Sequence, residues 1–303
     1  MGVFQRLHRR FAAVEAACNE RLPPFLKVGF LTLYAHTDRG ESLVDRVAER
    51  GPWRRWHDLG IGVLVACGLG ALAAVGWVAV VALTTDVQST AANDPNNMVA
   101  IPGVNEFMPL AAAGYVVFGL LVATVVHEGG HAISLRVDDL PIDELGVALL
   151  FGVLPLAAYV KPAEAVDDAP ARARLRLFAA GVANNVAVTV LVLLGFLVVG
   201  LGSITDAYLV YFGWLYTAAA PPTAADVASL GVVVNALFWV GFLNANLALF
   251  NALPIWPLDG GKVFKIAVEE LAGDERTAPR SVVAGASVAT AAVVLLALFG
   301  PSL

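Results

Sequence analysis

Val125-Val126-His127-Glu128-Gly129-Gly130-His131-Ala132-Ile133 reads H-E-x-x-H inside an apolar run. As a helix, this stretch projects His127 and His131 from one face, one turn apart. Two imidazoles so placed can share a zinc ion through ring nitrogens at about 2.0–2.1 Å. Glu128 lies beside them, free to take a proton from a water activated there. A five-letter pattern with two free positions also arises by chance, and in a soluble helix chance is a fair reading. The surroundings argue otherwise. No charged residue occurs from Phe107 to Val126, a length close to the roughly 20 residues that cross a bilayer as helix. Two histidines and a glutamate at that depth are costly unless they serve a function.

Working outward, the composition is that of a membrane protein: 58% of residues are hydrophobic and only 15% charged, with a mean hydropathy of +0.74. Ordinary soluble domains are about one quarter charged. The net charge of −6 says little, because the charges are segregated along the chain; no nucleic-acid partner is expected. Cys18 and Cys67 make neither a disulfide scaffold nor a set of zinc thiolates. Met1 is followed by a basic amphipathic stretch, so no signal peptide is expected.

The expected fold class is an all-α polytopic membrane protein with about five transmembrane helices. Charge-free runs place spans at residues 59–85, 107–135, 177–205, 227–258 and 281–303. Residues 59–303 thus form an intramembrane core, and residues 1–58 a cytosolic or interfacial segment. All 19 Lys and Arg residues fall within 1–58, 136–176 and 262–280, and none in the loops 86–106 and 206–226. By the positive-inside rule the chain is multi-pass in the cell membrane, with its N-terminus cytosolic and its C-terminus outside. Within 1–58, Phe4, Leu7, Phe11, Val14 and Cys18 predict an amphipathic helix over residues 3–18, lying on lipid or on the protein's own cytosolic face. A β-prone run follows at 29–35, a short helix at 41–49, and an interfacial anchor at Trp53, Arg54, Arg55 and Trp56. Residues 145–160 are apolar yet too short to span, carry Gly146, Gly152 and Pro155, and have cytosolic flanks. They predict a membrane-reentrant β segment between the second and third spans, with Gly146–Leu154 as a strand offering its edge to a partner chain. A surface hairpin at the interface is the alternative.

A catalytic zinc takes three protein ligands. Asp259 is the candidate, in Asn251-Ala252-Leu253-Pro254-Ile255-Trp256-Pro257-Leu258-Asp259-Gly260-Gly261. The prolines break the helix and the glycines let backbone pass close to a site. The second and fourth spans run in the same direction, so His127 and Asp259 meet at their cytosolic ends. Glu144, Glu164 and Glu269 compete, in more polar surroundings. A helix cap is the bland role for Asp259.

These motifs resemble the site-2 protease family of intramembrane zinc metalloproteases. H-E-x-x-H in one span is followed by N-x-x-P-x-x-x-x-D-G at the end of a later one. Phe178-Ala179-Ala180-Gly181-Val182-Ala183-Asn184-Asn185 is similar to the family's A-G-P-x-x-N, with Val182 in place of proline. Thr37-Asp38-Arg39-Gly40 and the Trp53–Trp56 cluster are also familial, so the resemblance covers residues 30–280. It implies that His127, His131 and Asp259 ligate one zinc per chain. It makes Glu128 the general base and then the acid. Asn185 would steady the substrate carbonyl, its alternative role being interhelical packing. Asn184 is the expected structural amide, Asn251 holds the broken backbone, and Asn244 and Asn246 pack. The implied substrates are single-span membrane proteins, already cut by another protease, hydrolysed within their transmembrane helices to release a cytosolic fragment. The loop 206–226 is too short for an inserted PDZ domain, and no CBS-type domain is expected. A zinc-binding scaffold without activity is the competing class, against which intact Glu128 argues. An ion transporter is another, against which the clustering of polar groups at one end argues.

Overall fold

In hydrocarbon every backbone N–H and C=O must be paired within the protein, which makes an apolar run of this length a helix. The computed structural model describes residues 15, 18–23, 25–29, 32–36, 38–84, 94–98, 101–150, 154–217, 220–273 and 280–300. Its helices are α1 (Asp38–Ala48), α2 (Trp53–Thr84), α3 (Ala113–Val137), α4 (Ala171–Val199), α5 (Gly202–Tyr208), α6 (Trp214–Thr217), α7 (Ala224–Ser229), α8 (Gly231–Asn251), α9 (Asp259–Ala272) and α10 (Arg280–Phe299). Five of these, α2, α3, α4, α8 and α10, are long and apolar enough to cross a membrane. The amphipathic helix expected over 3–18 lies outside the described residues, Glu15 and Cys18 aside.

Helix α4 is the axis of the bundle, in contact with α2, α3, α8 and α9. Its buried run Ala179, Ala180, Gly181, Val182, Ala183 is small enough for neighbouring backbones to approach closely, which is what joins helices in lipid. At one end of the bundle Tyr211, Phe238, Trp239 and Val116 form an apolar core, and Tyr211 donates to Asn235 Oδ1 at 2.5 Å. The other end is charged. Arg176 reaches Asp58 at 2.7 Å and Asp138 at 3.0 Å, Arg174 reaches Glu269 at 3.2 Å, and Arg136 holds Glu41 and Asp45. These pairs explain why α4 begins at Ala171, before the charge-free run expected from residue 177: its arginines have partners and the helix continues through them.

The fourth span lies within 227–258, as expected, and ends before the prolines. The chain bends at Gly231, whose φ of +72° suits a residue without Cβ, runs as α8 to Asn251, turns through Pro254 and Pro257, and restarts as α9 at Asp259. One expectation changes, in the β segment. Leu26–Gly29 (β1), Thr32–His36 (β2), Ile142–Leu150 (β3) and Leu154–Pro162 (β4) form one antiparallel sheet in the order β1-β2-β3-β4. The β-prone run expected at 29–35 contributes β2, which pairs with β1 on one side and β3 on the other. Strand β3 is bonded on both sides, so Gly146–Leu150 offers no edge; among the described residues β4 has an unpaired edge, and it packs beside α3. Alternation along one segment identifies a strand but not its neighbours.

Candidate metal centre

Four-residue spacing on α3 brings the His127 and His131 rings to 4.8 Å between centroids with planes 87° apart. Their Nε2 atoms converge on one oxygen: Asp259 Oδ2 lies 3.0 Å from His127 and 3.2 Å from His131. All three side chains are buried. Each Nδ1 faces an acceptor, Asn185 Oδ1 at 2.6 Å for His127 and the Leu177 carbonyl at 2.7 Å for His131. An acceptor at Nδ1 fixes the proton there and leaves the Nε2 lone pair facing inward. Asp259 Oδ2 has no hydrogen-bond partner among the described residues. Three lone-pair donors thus face one another in a buried space, an arrangement that a bound metal ion or a proton relieves. Tetrahedral zinc ligands at 2.0–2.1 Å lie about 3.4 Å apart, close to the spacings observed, so the N,N,O set fits zinc. Glu128 stands alongside: His127, Glu128 and His131 offer ligand atoms all within 4.8 Å of one another. Glu128 Oε2 accepts the Val160 N–H of β4 at 2.9 Å.

Small residues make this packing possible. A Cβ on Gly130 would sit 2.8 Å from the Ala180 carbonyl oxygen, and one on Gly181 would sit 2.7–2.8 Å from three atoms of the His127 ring. The His127 ring therefore lies flat against the Gly181 backbone. One turn further along α4, Asn185 is fully buried. Its Oδ1 meets His127, and its Nδ2 donates to the Ala123 carbonyl at 2.9 Å and to Asn244 Oδ1 at 2.8 Å. That engages the whole amide. The expectation that Asn185 meets a substrate carbonyl does not match this geometry: the residue faces the junction of α3, α4 and α8, and it orients His127. Asn244, read from sequence as packing, belongs to the same network; its polar amide in mid-span was the available signal. Asn184 is a structural amide, taking the Trp56 indole N–H at 2.8 Å and donating to the Val126 carbonyl at 3.3 Å. Asn251 donates to Leu247 on its own helix.

Asp259 is the first residue of α9, with no side-chain cap at that end; its carboxylate turns to the histidines instead. Cβ atoms on Gly260 and Gly261 would fall 2.2 Å from the Ala252 oxygen and 2.4 Å from the Ile255 oxygen. Their absence lets α9 restart against the end of α8. The competing carboxylates are placed elsewhere. Glu144 pairs with Lys27 and Lys161, and Glu164 is exposed on a 3-10 turn. Burial pushes the Glu269 carboxyl up, but hydrogen bonds from Lys265 and Arg174 outweigh it and hold the group below its ordinary value.

A cavity of about 170 Å³ opens beside these groups, lined by His127, Glu128, His131, Val160, Phe178 and Asp259 among others. Lys262 also lines it, and nothing in the sequence reading singled it out. One turn beyond Asp259, its Nζ lies 3.6 Å from Asp259 Oδ1 and 4.7 Å from the centre of the Phe178 ring.

Comparison with known proteins agrees with this chemistry. The model of peptidase family M50 matches residues 115–297. Two proteins named "Putative zinc metalloprotease Rip3", from two strains of Mycobacterium tuberculosis, are each 28% identical over 228 residues. That alignment takes in 74% of this chain and 47% of theirs, so the chain spans about half the length of the curated relatives it matches. No solved structure matches. The M50 match covers more than half of the chain and includes α3, α4, α8 and α9; the chain belongs to peptidase family M50, the site-2 protease family of zinc metalloproteases.

Proposed function

We propose that this chain is an intramembrane zinc endopeptidase that hydrolyses peptide bonds within the transmembrane helices of single-span proteins. The observation that carries the reading is the convergence of His127 Nε2, His131 Nε2 and Asp259 Oδ2 beside Glu128. These three residues would hold one zinc ion. Bound there, zinc supplies Lewis acidity, bringing the pKa of water toward about 7 and polarising a carbonyl. Asn185 and the Leu177 carbonyl hold the two imidazoles in the tautomer that binds. Glu128 takes the proton of the attacking water and hands it to the leaving amide nitrogen, so one carboxylate serves as base and then acid. The burial of the site keeps bulk water out and strengthens both exchanges.

The substrate must be unwound before its carbonyls are accessible, and unwound backbone in a membrane needs new partners at several kcal/mol per group. Strand β4 answers that need. Its Val160 N–H already points across its open edge at Glu128, so an extended segment adding to β4 lies beside the base. The basic residues at this end of the bundle support a cytosolic position for the site, with prior trimming of the substrate by another protease and release of a cytosolic fragment. The test uses detergent-purified protein and a helical reporter substrate. Wild type should hold about one zinc per chain and cleave; Glu128→Gln should keep the zinc and lose at least about 10³-fold in turnover. His127→Ala, His131→Ala and Asp259→Ala should each lose the metal. Cleavage by Glu128→Gln at the wild-type rate would overturn the assignment, and a zinc-loaded but inert wild type would leave a binding scaffold.

A further inference from the structure

We propose that Lys262 is a catalytic residue of this hydrolysis: its ammonium donates to the scissile carbonyl oxygen as negative charge builds there. The inference rests on the metallopeptidase reading above and adds a group to it. Peptide hydrolysis drives charge onto that oxygen, and a positioned donor in a water-poor site is usually the largest single aid to the step. The residue the sequence suggests for this task is not available. Both Asn185 N–H groups are given to Ala123 and Asn244, its oxygen is given to His127, and it does not line the cavity. Of the side chains that do line it, Asn251 and Lys262 carry donors besides the histidines; Asn251 gives one of its two amide hydrogens to Leu247 at 3.1 Å and is neutral, whereas Lys262 carries a full positive charge. Lys262 is the cation of this cavity.

Its placement suits the role. Asp259 uses one oxygen toward the histidines and turns the other, Oδ1, to the Lys262 ammonium at 3.6 Å. That separation is longer than a charge-assisted hydrogen bond of about 2.7–2.9 Å, so the ammonium is attracted without being spent. The Phe178 ring, 4.7 Å away, holds the cation on its face. The side chain is 32% exposed and lines the cavity. A carbonyl entering between Glu128 and Asp259 meets a positive charge one carboxylate's width from the three-ligand cluster. The flexible four-carbon stem lets the ammonium follow the oxygen as it moves out of the amide plane.

Lys262→Met keeps the stem against Phe178 and removes the charge; Lys262→Arg keeps a charge. Each is compared with wild type for zinc affinity, for kcat and KM on the helical reporter, and for affinity toward a phosphonamidate peptide, an anionic tetrahedral mimic of the reacting centre. Lys262→Met should lower kcat by about 10²–10³-fold, the usual loss for one oxyanion donor. Its KM should move less than about threefold, its phosphonamidate affinity should fall by at least about thirtyfold, and its zinc affinity should stay within about twofold. Lys262→Arg should recover much of both losses. If Lys262→Met loses zinc in step with activity, the lysine merely holds Asp259 and the proposal is overturned. Wild-type kcat and phosphonamidate affinity in Lys262→Met, with Glu128→Gln inactive, would overturn it while leaving the metallopeptidase reading intact. A wild type that binds zinc but neither cleaves nor binds the phosphonamidate would end both.

Discussion

Gly181→Ala tests the packing of the metal site without touching a ligand. A Cβ at position 181 falls 2.7 Å from His127 Cε1 and 2.8 Å from both ring nitrogens. Ordinary carbon contacts begin near 3.5 Å, so the ring must retreat by roughly 0.7 Å. Zinc–ligand distances tolerate only about 0.2 Å, and the 2.6 Å bond from His127 Nδ1 to Asn185 ties the ring to the same helix that carries Gly181. Overpacking of this kind costs typically about 1–3 kcal/mol. Expressed in ligand placement, that is about a 5- to 150-fold weaker zinc complex, at about 1.4 kcal/mol per tenfold. The assay is competition for zinc against a chromophoric chelator in detergent, with helical content followed by circular dichroism. Gly129→Ala is the matched control. Inside the same motif, its new Cβ meets nothing within 4 Å, so zinc affinity should hold and α3 should gain up to about 1 kcal/mol of helix propensity. Wild-type zinc affinity in Gly181→Ala would refute the account of how His127 is seated.

The other predictions address different links. Asn185→Ala should weaken zinc by about 10- to 100-fold, the usual effect of losing a ligand's hydrogen-bond partner, and saturating zinc should restore turnover to within about tenfold; an unchanged zinc affinity with a collapsed kcat would instead make Asn185 the oxyanion donor. Ala158→Pro should remove an outward N–H, because residues 158 and 160 share a direction in the regular register Ala158↔Val147, Tyr159↔Gly146, Val160↔Leu145. We expect at least about a tenfold loss on a helical substrate with zinc content unchanged, and full cleavage would discard strand docking at β4. For topology, Ala225→Cys in a background lacking Cys18 and Cys67 should react with impermeant thiol reagent from outside, and Asp167→Cys should not; labelling of position 167 from outside would invert the assignment.

Much of the centre was legible in the chain because its signals are local. His127 and His131 need only helical periodicity to share a face, and the polar triad stands out against an uncharged run. Asp259 was reachable because topology, read from basic residues, puts it at the same end as the histidines. The five apolar helices were legible for the same reason: in lipid, backbone pairing leaves a long apolar run no alternative to helix. What local patterns could not carry are relations between distant segments. Asn185 and Lys262 show this most plainly. Sequence order places an amide on α4 and a lysine just past Asp259, but which of them faces the cavity depends on the rotation of α4 and α9 about their axes. Close contacts at Gly130, Gly181, Gly260 and Gly261 set those rotations. The sheet is similar, since β1 and β2 lie more than a hundred residues before β3 and alternation within one strand does not say which edge is taken. The chain alone therefore determined the membrane class and the long apolar helices, and singled out the two histidines and the aspartate that the fold brings together. The tertiary structure decided which oxygen the histidines share, that Asn185 serves His127, and that β4 keeps the open edge, because each depends on steric fit between elements that only folding brings together.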